Sequence, residues 1–303
     1  MSNLSAPADL FRTFPDLDGL PRQSRGVFLT VAYGNFSRSS LTLKRWVAYS
    51  QLHRLDMAVL QTPPAGKSSY CAAHRMSCAV WDKLHATEQL FRKGYELVLY
   101  ADGDAVVIDW RRSPWDVLAG AQKAARQLPC FVVSADRGHY GSFGDANLGV
   151  MLLRNCNTTR TALEWVVARE KGHEKWPAEQ HQLNKYLRTR EGTTWASRVP
   201  YCTLQCTVDN GFWSMRGAYA AFLKRRKDAN STAMSTTALL YDDWRYEVQL
   251  RVKRLVDQKV WAMHTIGAKH IYFKQGSGLP PKIEEMVHEA FLALDRVAPL
   301  PPT

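Results

Sequence analysis

No apolar run in this chain reaches the ~20 residues that a bilayer-spanning helix needs. That excludes a helical membrane anchor within these 303 residues. Met1 to Arg25 is polar and carries prolines, with no apolar heart of a secretory leader. The expectation is therefore a chain that is soluble as it stands and carries no address. It is either cytoplasmic or the Golgi-lumenal catalytic part of a longer precursor. Cysteine is scarce, with six residues: Cys71, Cys78, Cys130, Cys156, Cys202 and Cys206. Cys202 and Cys206 lie four apart, but no second pair matches them, which argues against a zinc site and leaves buried thiols as the expectation. Internal repeats and low-complexity segments are absent, which excludes solenoids and linker proteins.

What remains is a globular composition: 46% hydrophobic, 22% charged and 11% aromatic. Such a chain can bury a large core. The net charge of +12 implies anionic partners: nucleotides, nucleic acid or a membrane surface. Four Asn-x-Ser/Thr triplets start at Asn3, Asn35, Asn157 and Asn230. They are glycan acceptors only in a secretory lumen.

Residues 1–25 read as a loose arm rich in Pro, Asp and Arg, and 26–303 as one α/β domain. Gly26 to Ala32 is an apolar first strand, ending in a Tyr33-Gly34-Asn35 turn. A helix from Leu41 to Arg54 and a strand from Met57 to Leu60 follow. This β-α-β opening predicts a parallel sheet with a right-handed crossover. Trp81 to Lys93 is a helix with Trp81, Leu84 and Phe91 on one face, stopped by Gly94. A helix from Ser113 to Ala125, a strand over Phe131–Ser134 and a buried strand over Val150–Asn155 come next. Then follow helices at Thr158–Glu170 and Glu179–Arg188. Short strands are expected between Arg198 and Cys206, a helix over Trp213–Arg226 and a loop over Asn230–Thr237. Val260 to His264 is a strand, and Ile283 to Val297 is a helix with one apolar face.

The chain is organised around Leu97 to Ile108, an apolar run interrupted by Asp102-Gly103-Asp104. A buried unpaired carboxylate is costly, so packing alone does not put two there. In an extended segment both acids face the same way, because the side-chain period of a strand is two. Gly103 lets a ligand approach the backbone closely. Two hard oxygen donors at a strand end suit Mn2+ or Mg2+, with open positions left for phosphate. The alternative is a turn whose acids cap backbone amides.

Further motifs follow in order: Trp81-Asp82-Lys83, Asn147-Leu148-Gly149, Glu179-Gln180 and His264-Thr265-Ile266-Gly267. With them the chain resembles glycosyltransferases of the GT-A fold, and within these family 34, the retaining galactosyl, mannosyl and xylosyl transferases. The likeness spans roughly residues 26 to 273. It implies an α/β single domain with a Rossmann-like, mostly parallel central sheet flanked by helices. It also implies a UDP- or GDP-sugar donor and a glycan or glycoprotein acceptor, with no nucleic-acid partner. In this resemblance Asp102, Asp104 and His264 hold Mn2+ (or Mg2+). Thr30, Ala32 and Tyr33 receive base and ribose. Lys83, Gly103, Gly149, Gly267 and Lys269 line the donor, and Asn147, Glu179 and Gln180 face the transferred sugar. Lys269 lies five residues after His264, where related patterns often place it at six, the position His270 occupies.

Each of these residues has a structural alternative. His264 can be a satisfied core histidine, Lys269 a solvated lysine, and Glu179 an acid complementing a helix dipole. Two rival functions stand beside the transferase reading. A metal-dependent phosphohydrolase usually needs more clustered acids than the one pair present. A nucleic-acid-binding module would lean on Lys224-Arg225-Arg226-Lys227, a run as short as an ordinary helix end. The basic surface also suits a peripheral contact with an anionic membrane.

Overall fold

The computed structural model describes residues 12–32, 37–61, 75–103, 105–125, 128–135, 146–170, 178–188, 208–210, 253, 256–257, 261–264 and 292–299. Tyr33, Asp104, Gly267 and Lys269 fall outside these residues. So do the segments expected as strands at 198–206, a helix at 213–226 and a loop at 230–237.

Four apolar segments make the centre of the fold: β1 (Gly26–Val31), β2 (Asp56–Leu60), β3 (Leu97–Ala101) and β5 (Phe131–Ala135). The fifth strand, β6 (Ala146–Arg154), completes a sheet of order β2-β1-β3-β6-β5. β1 pairs in parallel with β2 and β3, while β6 runs antiparallel to both β3 and β5. Four strands thus run one way and β6 returns, which is the expected mostly parallel α/β sheet. A second, small sheet orders β4 (Ala105–Val107), β8 (Ala262–His264) and β7 (Val208–Asn210) as β4-β8-β7.

Strand periodicity sorts the core into two layers. Val27, Leu29, Val98, Tyr100, Met151 and Leu153 belong to one cluster. It includes residues of α3 (Arg75–Arg92), α5 (Asn157–Val167) and α6 (Ala178–Arg188). Phe28, Leu97, Leu99, Ala101, Val150 and Leu152 belong to the other, with α2 (Ser37–Leu52) and α4 (Pro114–Ala125). Strands buried on both faces read as continuous apolar runs, which is why the sequence shows no alternation there.

Four expectations need correction. Residues 12–25 of the arm are not loose: Phe14 and Leu17 are fully buried, and α1 (Pro15–Asp18) forms within them. The Phe14 amide donates to Gln89 Oε1 at 2.8 Å and Lys93 reaches the carbonyl of Leu17, so the arm straps onto α3. Helix α3 starts earlier than expected, at Arg75 in place of Trp81; Trp81, Leu84 and Phe91 do share one buried cluster, and Asp82, Lys83, His85, Thr87 and Glu88 are buried as well. Gly94 does stop α3, at φ +92°, a conformation open to glycine. The thiol expectation fails at Cys130 and Cys156, which form a disulfide joining the start of β5 to the N-cap of α5. Finally, the acid triplet is not extended. β3 ends at Ala101, and the Ala105 amide donates to the Asp102 carbonyl at 2.9 Å, so a tight turn separates β3 from β4. The turn alternative was right about backbone shape.

Candidate active site

The turn sits where β3 leaves the sheet, and its neighbours hold it there. Thr30 Oγ1 donates to the Ala101 carbonyl at 2.8 Å, from β1. The Asp102 amide donates to the Gly149 carbonyl at 2.7 Å, on β6. Thr42 Oγ1, from α2, donates to the Gly103 carbonyl at 2.9 Å. Thr30 was expected at the nucleotide, yet its hydroxyl is spent on backbone. Ala32 is half-buried and its amide donates to the Leu60 carbonyl at 2.8 Å.

Beneath the turn lies a charged cluster. Lys83 Nζ stands 3.2 Å from the Leu148 carbonyl, 3.2 Å from Glu179 Oε1 and 3.8 Å from Asp102 Oδ1. It also sits 5.1 Å over the Tyr100 ring, a cation–π arrangement. The Tyr100 hydroxyl donates to Asp102 Oδ1. Tyr100 and Asp102 are two apart, so the strand period puts them on one side, toward α3. Exposure divides the three ionic groups: the side chains of Lys83 and Glu179 are 2% and 3% exposed, that of Asp102 30%. Asp102 is thus the one carboxylate of the three groups that a solvent-borne ligand can meet.

Burial pushes the Glu179 carboxyl above its ordinary value; Lys83 opposes this and the Asp102 charge adds to it. Its Oε1 pairs with Lys83, but its Oε2 is buried with no hydrogen-bond partner among the described residues. Native interiors seldom leave a carboxylate oxygen so, and active sites are among the places where they do.

β6 enters the site through a bulge, with Val133 opposite Met151 but Ser134 opposite Asn147. A bulge frees backbone groups from the ladder, and side chains take them up here. Gln180 Oε1 accepts from the Leu148 amide at 3.2 Å, and Asn147 Oδ1 accepts from the Gly149 amide at 3.0 Å. Asn184 clasps Ala146 from both sides, accepting from its amide at 2.8 Å and donating to its carbonyl at 3.0 Å. The Asn-x-Gly run is therefore part of the strand, which was expected to begin only at Val150.

The sheet register also bears on the metal expectation. Ala105 pairs with His264 in the antiparallel β4–β8 ladder. That brings the backbone of residue 264 beside the end of the acid turn, although 159 positions separate it from Ala105 in sequence. Of the three expected ligands, Asp102 is the one whose side chain lies within the described residues, and its carboxylate is a hard oxygen donor of the kind Mn2+ or Mg2+ takes. Among the described residues no group of three such ligands is complete.

Of the expected residues, the structure brings together Thr30, Lys83, Asp102, Gly103, Asn147, Gly149, Glu179 and Gln180. Tyr100, Thr42 and Asn184 were missed. Asn184 was discoverable, lying four residues after Gln180 on the same helix face. Tyr100 looked like core, because its hydroxyl partner is visible only once Asp102 is placed.

No family model matches the chain, and no curated protein matches it. Among solved structures it is similar to a glycosyltransferase involved in the glycosylation of the major capsid of PBCV-1, with a TM-score of 0.49 and 11% identity. That match covers 87% of this chain and 98% of the other. It is also similar to the apo-form glycosyltransferase GlyE of Streptococcus pneumoniae TIGR4, with a TM-score of 0.42 and 12% identity. There 89% of this chain matches 62% of the other. Such distant likenesses leave the chemistry to be read from the side chains.

Proposed function

We propose that the chain is a metal-dependent glycosyltransferase of the family 34 kind. It would take a hexose or pentose from a UDP- or GDP-sugar and pass it to a hydroxyl of a glycan or glycoprotein, with retention. The observation that carries this is the acid turn at the end of β3, with half-exposed Asp102 backed by buried Lys83 and Glu179. In open α/β sheets the carboxyl ends of the strands are where ligands sit.

In this reading Asp102, Asp104 and His264 hold Mn2+ or Mg2+, which when bound neutralises charge on the leaving diphosphate. Lys83 keeps a fixed positive charge beneath the diphosphate site and orients Asp102. Gly103 and Gly149 allow close backbone approach, and Ala32, Tyr33, Gly267 and Lys269 line the nucleotide. Thr30 serves the site as a tether of the turn. Asn147 and Gln180 fix the β6 bulge along the sugar, and Glu179 offers its unpaired Oε2 to a sugar hydroxyl. The anomeric carbon–oxygen bond to the diphosphate breaks, the acceptor oxygen bonds to that carbon, and the acceptor proton goes to the leaving diphosphate.

The test is a thermal-shift panel of UDP- and GDP-sugars with and without Mn2+, on wild type and on Asp102→Ala/Asp104→Ala. A ligand that binds only the folded state raises the melting temperature. The expected result is stabilisation by one nucleotide class, dependent on Mn2+ and lost in the double variant. A folded wild type that responds to none of them overturns the reading.

A further inference from the structure

Asn157-Thr158-Thr159 is one of the four acceptor triplets, and it lies within the described residues. Asn157 opens helix α5, and its side chain is exposed. The residue before it, Cys156, is the N-cap of α5 and is disulfide-bonded to Cys130. Disulfides of this kind persist in oxidising compartments and are rare where glutathione keeps thiols reduced. The triplet is meaningful only in such a compartment, so the covalent bond and the motif point to the same surroundings.

The position also leaves the site open. β6 runs away from the acid turn: Val150 pairs with Ala101, and Arg154 pairs with Leu97 at the far end of β3. Asn157 follows Arg154 by three residues, so it lies at the pole of the sheet opposite Asp102. The strand between Leu97 and Asp102 accounts for roughly 16 Å of separation. A bulky polar group on Asn157 projects into solvent and touches none of the site residues described above.

We propose that Asn157 carries an N-linked glycan, added in a secretory lumen by an oligosaccharyltransferase. The co-substrate is an oligosaccharide on a polyprenyl diphosphate. The Asn157 side-chain nitrogen bonds to the anomeric carbon and loses one proton, the carbon–oxygen bond to the diphosphate breaks, and polyprenyl diphosphate leaves. The folded geometry sets the order of events. Thr159 is fully buried, with Oγ1 donating to the Cys130 carbonyl at 3.3 Å. The transferring enzyme must read that hydroxyl before the turn closes, so glycan addition precedes the docking of α5.

The experiment directs the full chain into the secretory pathway of a eukaryotic cell. Both the secreted and the retained lumenal pools are then mapped by peptide mass, with and without peptide-N-glycosidase. The expected result is a glycopeptide spanning Asn157 in wild type and in Thr159→Ser, with glycosidase leaving Asp at position 157. Asn157→Gln and the shape-conserving Thr159→Val lose it. Unmodified Asn157 in oxidised wild type from either pool overturns the proposal.

Discussion

Lys83 and Glu179 form an ion pair of 3.2 Å between α3 and α6, with both side chains almost fully withdrawn from solvent. The pair joins two helices that both contribute apolar side chains to one core cluster. Removing one partner of such a pair leaves a buried charge uncompensated, at about 3–5 kcal/mol. Lys83→Met should therefore lower stability by that order. Glu179→Gln should cost less, because Lys83 Nζ keeps the Leu148 carbonyl at 3.2 Å and Asp102 Oδ1 at 3.8 Å. The double variant should recover part of the Lys83→Met loss. Urea denaturation of all four proteins as a double-mutant cycle checks this; strict additivity would refute the coupling.

Acid should weaken the strap at the N-terminus. His85 Nδ1 accepts the Arg12 backbone amide at 3.1 Å, and Nε2 lies 3.1 Å from Glu170 Oε2. This places the single ring proton on Nε2, and a second proton has no acceptor on the Arg12 side. Burial lowers the His85 pKa below its ordinary 6.5; the Glu170 hydrogen bond opposes this and the Arg12 charge adds to it. Asp82, paired with Arg12 at 2.5 Å, adds a charge that favours the protonated ring. The unfolded chain takes up the proton near 6.5 and the folded chain only at lower pH. The contribution of His85 is thus complete above 6.5 and declines as pH falls from there toward the folded value. The slope is at most about 1.4 kcal/mol per pH unit. His85→Asn should flatten that limb in a series of denaturation midpoints across this range.

The Cys130–Cys156 bridge closes a loop of sequence separation 26. Loop-closure entropy for that length is worth about 3.5 kcal/mol. Cys130→Ser/Cys156→Ser should lower the melting temperature of the oxidised protein, and reductant should then shift wild type more than the variant. Calorimetry in both redox conditions checks it. Equal melting points would mean that the turn is held by the Thr159 hydrogen bond and core packing alone.

Asn184→Leu should disturb the site at a distance. It leaves the buried amide and carbonyl of Ala146 without the partners that Asn184 gives them, at about 1–3 kcal/mol for each group. Because the same strand carries Asn147 and Gly149, donor affinity should fall along with stability. Asn184→Asp keeps the acceptor and loses the donor, so it should lie between. The check is a paired measurement of urea midpoint and nucleotide-sugar affinity for both variants.

The strands were legible in the sequence because doubly covered strands are continuous apolar runs, as in Val27–Val31 and Leu97–Ala101. Direction was not legible: periodicity is the same for a parallel and an antiparallel strand, so the reversal of β6 is a property of the fold. The acids at 102 and 104 stood out by their apolar flanks. Their turn did not, since Gly103 permits both an extended and a folded backbone. The burial of Asp82, Lys83, His85 and Glu88 on α3 was not legible, because nothing in the helical period marks a charged position as buried. Their burial depends on Arg12, Glu170, Glu179 and Arg160, residues far away in sequence. The disulfide escaped for a similar reason, as spacing alone cannot pair six cysteines.

Arg45 on α2, 3% exposed, reaches Asp295 and the Ala298 carbonyl, so 292–299 is fastened to the helix that supplies Thr42 to the acid turn. Arg12 fastens the other end of the described chain to the helix that supplies Lys83. The two tail segments therefore act as braces on the helices of opposite core layers. An engineer who trimmed the protein to the apparent catalytic unit beginning at Gly26 would strip off one brace and find the damage at Asp102.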